Sequence, residues 1–496
     1  MEKLSEKICL RLKPYILPYC AVILLGLAAH AFMLTNKICF AGDAGGLFRK
    51  GDTVVSGRFG LALTSYIMPD ISMPWLNGLM SLLLIAAAVC VIIAVFEIKS
   101  RVLKILLCGL IVCSPAQTAT FCYIYTCAPY ALSMLLSVSS VYAFTRLKGR
   151  LRWVISPLLI IASCSIYQGY FAFAASFCVI ILIKELLDKE KSSLEILRHG
   201  LQLFAMLVLG VGLYGVCAYT VSAVAHIPIL NIVNKEQGLL MRVAVAYSAY
   251  IKTFLKGYFA YVNCGLSRVM HLVLIAAAAG IIIMNQCARR EWKRSVLLLL
   301  CLFLFPLSCY CVYMMADNGY IHSLALYPFM SVYVLFAVIF DSFVPGKFAV
   351  CRPVAAAAMM LVIVCNIYFS NAMYLFLHLQ FEELKSYYTT MITMVMQTEG
   401  FEEGVELAIA GEEPALRYRM EENFDFSGFQ DPDIDIKNKI HAQGIINSFV
   451  GSDIPFASEE TIAGIEQTEE FKSMAIYPYN GSVKKIGSCI VVRLGE

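Results

Sequence analysis

Eleven apolar runs, at residues 16–34, 76–96, 102–121, 127–145, 153–165, 167–183, 201–224, 268–286, 295–313, 324–342 and 353–375, leave this chain little choice of fold. Most fall in the range of roughly 17–25 residues with which a helix crosses a hydrocarbon core, and 153–165 with 167–183 reads as two shorter helices meeting at a break. Inside a bilayer every backbone polar group must find its partner within the chain, which selects helices. The expected architecture is an all-α polytopic membrane protein of about eleven transmembrane helices. Composition agrees: 60% of the 496 residues are hydrophobic and 15% charged, against about 25% charged in soluble domains.

The cations give the orientation. Lys3, Lys7, Arg11 and Lys13 precede the first run, and Lys99, Arg101, Lys104, Arg146, Lys148, Arg150, Arg152, Lys184, Lys191, Arg198, Arg289, Arg294 and Arg352 fall at ends that count to the same side. The opposite loops hold far fewer. The positive-inside rule therefore puts the N-terminus inside the cytoplasmic membrane and, with an odd number of spans, the tail after residue 375 outside. With a net charge of only +4, dispersed over short loops, nucleic acid is not an expected partner. Ala29-His30-Ala31 has the small-x-small form of a cleavage site, but the run continues through Phe32, Met33 and Leu34, so it reads as a retained helix.

Nearly all of the nineteen cysteines lie in or beside apolar runs, where a thiol behaves as a small hydrophobe. No metal-ligand spacing occurs, so neither a zinc site nor a disulfide scaffold is expected, and packing is the preferred reading of Cys122 and Cys127. From residue 380 to 496 the composition becomes that of a small α/β domain. FEELKSYYTTMITMVMQTEG predicts an amphipathic helix stopped by Gly400, VELAIAG a strand, INSFVG a helix end and SCIVVRL a closing strand. It carries no nucleotide loop or nucleophile elbow and reads as an accessory or acceptor-recognition module outside the membrane.

The chemistry gathers in the first outer loop, residues 35–75, which contains FAGDAGGLFRKGDTVVSGRFG. On the outer side no nucleotide sugar is available, so a group transfer there must draw on a donor that the membrane delivers, such as a polyprenyl-phosphate sugar. Attack on its anomeric carbon needs a carboxylate to take the acceptor's proton and cations to stabilise the departing phosphate. Asp43, flanked by Gly42, Gly45 and Gly46, is the candidate base, or else the cap of a short interfacial helix. Asp52, between Gly51 and Thr53, reads better as a turn residue. Arg49, Lys50 and Arg58 are the candidate phosphate ligands, with the alternative that such cations snorkel to lipid headgroups. Arg58 leads, because an apolar interfacial stretch begins at Ser56-Gly57-Arg58-Phe59.

An early loop Asp, then Ser56-Gly57-Arg58-Phe59, Ser114-Pro115 at a span end, Tyr167-Gln168-Gly169-Tyr170 between two short helices, Asn366 and Asn371 before a long helix, and the closing MAIYPYNGSVKKIGSCIVVRL follow one another in this order. The pattern resembles the Gtr-type (GtrII-like) O-antigen glucosyltransferase family, polytopic bacterial enzymes of GT-C-like architecture. The resemblance implies inverting transfer of a hexose, typically glucose, from undecaprenyl phosphate to a surface or lipid-linked glycan. It places the family's acidic loop position on Asp43 and its Ser-Gly-Arg-aromatic motif on residues 56–59. Two positions depart from the pattern: Phe59 stands where the family usually has Trp, and Asp43 is single where the acidic position is often doubled.

Tyr167, Gln168 and Tyr170 interrupt what would be one overlong helix, and the resemblance implies that they line a substrate cavity with Ser56 and Gly57. The alternative is that Ser163, Ser165 and Gln168 satisfy backbone groups at the turn. Asp317, Asn318 and His322, in the short loop ADNGYIHS, are candidates for a second carboxylate or an imidazole on phosphate, or are simply turn residues. Residues 225–267, with Met241, Val245, Tyr250, Phe254 and Tyr258 among Lys252 and Lys256, predict an amphipathic interfacial helix that borders an entry groove for the polyprenyl tail or only anchors its loop. The expected partners are the lipid-linked sugar, a glycan acceptor and the bilayer. No cofactor is expected, and a divalent metal stays open. A glycan-lipid flippase and a non-catalytic glycan-binding scaffold remain the alternatives; a flippase needs polar groups along its path, whereas polar groups here collect at span ends.

Overall fold

The computed structural model describes residues 2–38, 54–68, 71–188, 190–229, 238–251, 264–289, 291–312, 323–342, 351–411 and 439–495. Its helices are α1 (Glu2–Thr35), α2 (Phe59–Thr64), α3 (Pro74–Phe96), α4 (Arg101–Val112), α5 (Pro115–Phe121), α6 (Ile124–Arg146), α7 (Arg152–Ile166), α8 (Phe171–Leu187), α9 (Ser193–Ala225), α10 (Leu239–Ile251), α11 (Cys264–Arg289), α12 (Trp292–Tyr310), α13 (Ser331–Ser342) and α14 (Cys351–Gln397). Strand β1 (Glu406–Ala410), helices α15 (Lys439–Ile445), α16 (Glu459–Glu466) and α17 (Glu469–Lys472), and strands β2 (Val483–Ile486) and β3 (Cys489–Arg493) follow.

Among the described residues nine helices are long and apolar enough to cross a membrane, or ten with the pair α4 and α5 taken as one span bent by 48°. The bend has a local cause: Ser114 caps α5, accepting from Gln117 N–H, and Pro115 occupies its first turn. The tenth apolar run, 324–342, is helical but split. Its first half is the 3-10 segment Ser323–Met330, with Pro328 inside, which leaves only the short helix α13. The break between α7 and α8 falls at Tyr167, whose backbone is extended (φ −154°, ψ 114°), followed by the single 3-10 turn Gln168–Tyr170.

The chain divides into two compact units, described separately. In the first, α3 packs along α6 and α1, α6 along α7, and α8 against α9, α12 and α13. The buried side chains include Phe96, Phe121, Phe144, Phe173, Phe177 and Phe340. His30 lies inside the bundle, its Nε2 2.8 Å from the Val112 carbonyl and its ring stacked on Phe121 at 4.5 Å. Asn371 Nδ2 ties α14 to α1 by donating to the Ala28 carbonyl at 3.0 Å. The thiols of Cys122 and Cys127 each donate to a backbone carbonyl within their own helical turn, those of Thr118 and Ile124, and take the packing role expected of them.

One end of this unit is organised by cations on helix C-termini, where the last carbonyls lack intrahelical partners. Lys184 Nζ donates to Phe96 O at 2.6 Å and Arg146 to Ala94 O at 2.8 Å, both at the end of α3. Arg294, buried, donates to the carbonyls of Leu186, Glu185, Lys191 and Asp188 and closes α8. Arg352 does the same for α13 through Phe340 O and Asp341 O. Asp341 in turn accepts from the backbone N–H groups of Lys99 and Ser100, ahead of α4. Glu97 joins the cluster by pairing with Arg146 at 2.6 Å, which holds its carboxyl below the usual range.

In the second unit the sheet order is β1-β3-β2. β1 runs parallel to β3, with Glu406 opposite Cys489 and Ala410 opposite Arg493, and β2 pairs antiparallel, with Val483 opposite Val492. Central β3 is buried along nearly its whole length, as a strand flanked on both sides should be. Ala408, Ala457, Ile465, Phe471, Met474 and Val491 form its core. The expected strands at VELAIAG and SCIVVRL, the helix end at INSFVG and the stop at Gly400 (φ +81°) are present. Helix α14 continues unbroken through residue 380 to Gln397.

Candidate functional site

The end of the first unit opposite the cation caps is where α8 begins. There the segment before α2 folds back over the α7–α8 break. The turn Val54–Gly57 closes with Gly57 N–H donating to Val54 O at 2.8 Å. Gly57 adopts φ +74°, and a Cβ there would stand 2.9 Å from the Tyr214 hydroxyl and 3.3 Å from Gln168 Nε2. Only glycine meets both the conformation and the space. Arg58 then stands at the start of α2, its carbonyl receiving Leu61 N–H at 3.0 Å, and Gly60 brings α2 against Ser165 of α7 with no room for a side chain.

Gln168 holds this turn. Its Nε2 donates to the Ser56 carbonyl at 2.7 Å and to the Tyr214 hydroxyl at 2.8 Å, while Oε1 accepts from Arg58 Nε at 3.4 Å. Tyr214, from α9, donates its own hydroxyl in a hydrogen bond to the Gly57 carbonyl at 3.0 Å. The Arg58 guanidinium carbon sits 4.7 Å from the centre of the Tyr167 ring, within cation–π range. Tyr167 is stacked on Tyr130 at 4.5 Å, and buried Tyr170 stands behind it at 5.7 Å with its edge to Tyr327 at 5.9 Å. An arginine gripped through Nε and through one face of its plane has a fixed orientation, which is what bidentate recognition of an oxyanion needs.

The residues singled out in sequence therefore divide cleanly. Ser56, Gly57, Arg58, Tyr167, Gln168 and Tyr170 converge, although they come from segments over a hundred residues apart. Ser56 enters through its carbonyl. Gln168 and Ser163 also meet the simpler expectation of satisfying backbone groups, Ser163 through a reciprocal pair with Ser133 across α6 and α7. Asp43, Arg49, Lys50, Asp52, Asp317, Asn318 and His322 lie outside the described residues. Of the interfacial segment, Tyr247 donates to Phe303 O of α12 and Tyr250 packs at 4.9 Å from Phe329, so α10 is seated on α12 and on the 3-10 segment Ser323–Met330; Lys252, Phe254, Lys256 and Tyr258 lie outside the described residues. Among the described residues no group of three or more His, Cys, Asp or Glu is placed to hold a metal.

Two members of the cluster were not foreseen. Tyr214 sits in the glycine-rich stretch Leu209-Gly210-Val211-Gly212-Leu213-Tyr214-Gly215 of an apolar span, and a polar tip among glycines was its signal. Tyr130 carried no signal beyond its place near a span end. Phe59, where the resemblance leads one to expect Trp, lies parallel to the Tyr214 ring at 6.2 Å and helps hold it.

The fold and this cluster define a multi-pass membrane protein that carries an oriented arginine at one end of its helical bundle. Residues 31–340, well over half of the chain, match the family described as Glucosyl transferase GtrII. The chain belongs to that family, which indicates glucosyltransferase activity. No curated protein and no solved structure matches it.

Proposed function

We propose that the protein transfers glucose from a polyprenyl-phosphate donor to a cell-surface or lipid-linked glycan, with inversion, on the outer face of the bacterial cytoplasmic membrane. The observation that carries this reading is the orientation of Arg58 by Gln168 and Tyr167 at the end of the bundle remote from the capping cations. A fixed guanidinium at a membrane helix end suits a lipid-borne phosphate. The positive-inside pattern of the sequence supports reading that end as the outer one.

In the reaction the acceptor hydroxyl oxygen attacks the anomeric carbon from the face opposite the phosphate. Asp43 takes the hydroxyl proton as the new glycosidic bond forms. The bond from the anomeric carbon to the phosphate oxygen breaks, and its electron pair leaves with the lipid phosphate, whose added charge Arg58 neutralises together with Arg49 and Lys50. A monophosphate leaving group presents one phosphate to neutralise, so the arginine and lysine side chains suffice and a chelator leaves the rate unchanged.

The test is to offer protein in sealed vesicles either synthetic polyprenyl-phosphate glucose or a nucleotide sugar, with an envelope glycan extract as acceptor, and to determine the product's anomeric configuration. Transfer from the lipid donor alone, with inverted configuration, is the expected result. Transfer from the nucleotide sugar, or retention, overturns the proposal.

A further inference from the structure

Between helices α8, α9 and α12 lies an open-sided cavity of about 810 Å³ to which the proposed reaction assigns no part. Its walls are three stripes at helical spacing: Ala175, Cys178, Val179, Leu182 and Leu186 on α8, Leu203 to Gly212 on α9, and Leu297 to Leu307 on α12. The lining is apolar almost throughout. From Phe171 to Leu186 it follows α8 for roughly 22 Å at 1.5 Å per residue. The α9 and α12 walls include exposed residues such as Phe204, Val208, Leu300 and Leu304, so the cavity opens sideways to the bilayer.

Its two ends differ. At the end near Leu186 and Leu297, Arg294 is engaged by backbone carbonyls and Lys191 by Glu185 at 2.5 Å. At the other end Phe171 follows directly on the Gln168–Tyr170 turn, and Val211 stands one helical turn before Tyr214. There a Cβ on Gly212 meets nothing within 4 Å. A hydrocarbon chain lying in this groove therefore brings its polar head to the Gln168, Tyr214 and Arg58 cluster.

We infer that the groove between α8, α9 and α12 binds the isoprenoid chain of the lipid-phosphate donor, entering from the bilayer and aligning its phosphate with Arg58. This rests on the proposed donor class and adds where its tail lies. Because the chain comes from hydrocarbon and not from water, its hold in the groove rests on close van der Waals packing against the three apolar walls.

The full-length protein in phosphatidylethanolamine and phosphatidylglycerol vesicles is photolysed with a polyprenyl phosphate that carries no sugar and bears a diazirine on an early isoprene unit, and the labelled peptides are mapped. The expected label falls on α8, α9 and α12. It drops about tenfold, the equivalent of about 1.4 kcal/mol, in Gly212→Phe, whose ring occupies the groove and takes the place of the chain's packing contacts. It is unchanged in Gly280→Phe, where a side chain on α11 also meets open space. Label elsewhere, no label, equal label from a diazirine phospholipid, or an equal loss in both variants overturns the inference. Since the readout needs no transfer, groove labelling without glucosyl transfer refutes the proposed reaction alone, and transfer with label elsewhere refutes the groove alone.

Discussion

Tyr214 reaches back 157 residues to donate its hydroxyl to the Gly57 carbonyl at 3.0 Å, and the same oxygen accepts from Gln168 at 2.8 Å. One hydroxyl thus joins α9 to the arginine-bearing turn and to the α7–α8 break. Removing it in Tyr214→Phe leaves the ring and its contact with Phe59 but takes away both hydrogen bonds, each worth about 1 kcal/mol. The expected result is a folded protein whose kcat falls more than its KM rises, since the turn that aims Arg58 is loosened. An unchanged kcat in a steady-state transfer assay contradicts the positioning role.

Gly57→Ala probes the same junction from the other side. With φ at +74° an alanine costs roughly 1–2 kcal/mol in backbone conformation, and its Cβ displaces the Tyr214 hydroxyl from 2.9 Å. Combined with Tyr214→Phe, the loss in transfer is smaller than the sum of the two single losses, because the clash disappears with the hydroxyl. A double-mutant cycle measures this; strict additivity counts against the shared junction.

Arg58→Lys keeps the charge and abandons both the planar fork and the stack on Tyr167. Loss of an oriented group on a developing oxyanion costs about 10²-fold in rate. The variant is expected near that deficit with its thermal midpoint unchanged, and Arg58→Ala falls lower. Activity in Arg58→Lys equal to that of the unaltered protein shows that orientation is irrelevant.

At the opposite end, Glu97 has its carboxyl pKa lowered chiefly by the hydrogen bond from Arg146, with Lys184 adding to it. A group depressed on folding stabilises the fold above its unfolded pKa of about 4.3, and that stabilisation is lost as pH falls through the lower folded value. Thermal midpoints recorded from neutral pH downward are expected to decline more steeply for the unaltered protein than for Glu97→Gln over that acidic window. Parallel curves contradict the assignment.

Much of this was legible in the sequence because membrane solvation leaves few options. The positions of the spans, the break at Tyr167 and the strands VELAIAG and SCIVVRL follow from runs and periodicity alone. What escaped was long-range. The split of 324–342 into a 3-10 segment and a short helix turns on Pro328 and on packing against α5. The four carbonyls gathered by Arg294 come from a helix end about a hundred residues earlier, which no local pattern announces. In the site, Ser56-Gly57-Arg58 and Gln168 carried local signals, whereas Tyr130 joins them only through the pairing of α6 with α7.

Asp43→Asn tests the proposed base most directly. Transfer of labelled glucose from synthetic polyprenyl-phosphate glucose to an envelope glycan is compared in the two proteins, with donor binding measured alongside. The variant is expected to fold and bind donor while its turnover falls by about 10²–10⁴-fold, the contribution of a lost general base. Equal turnover in the two proteins contradicts it and moves the search for the base to Asp317.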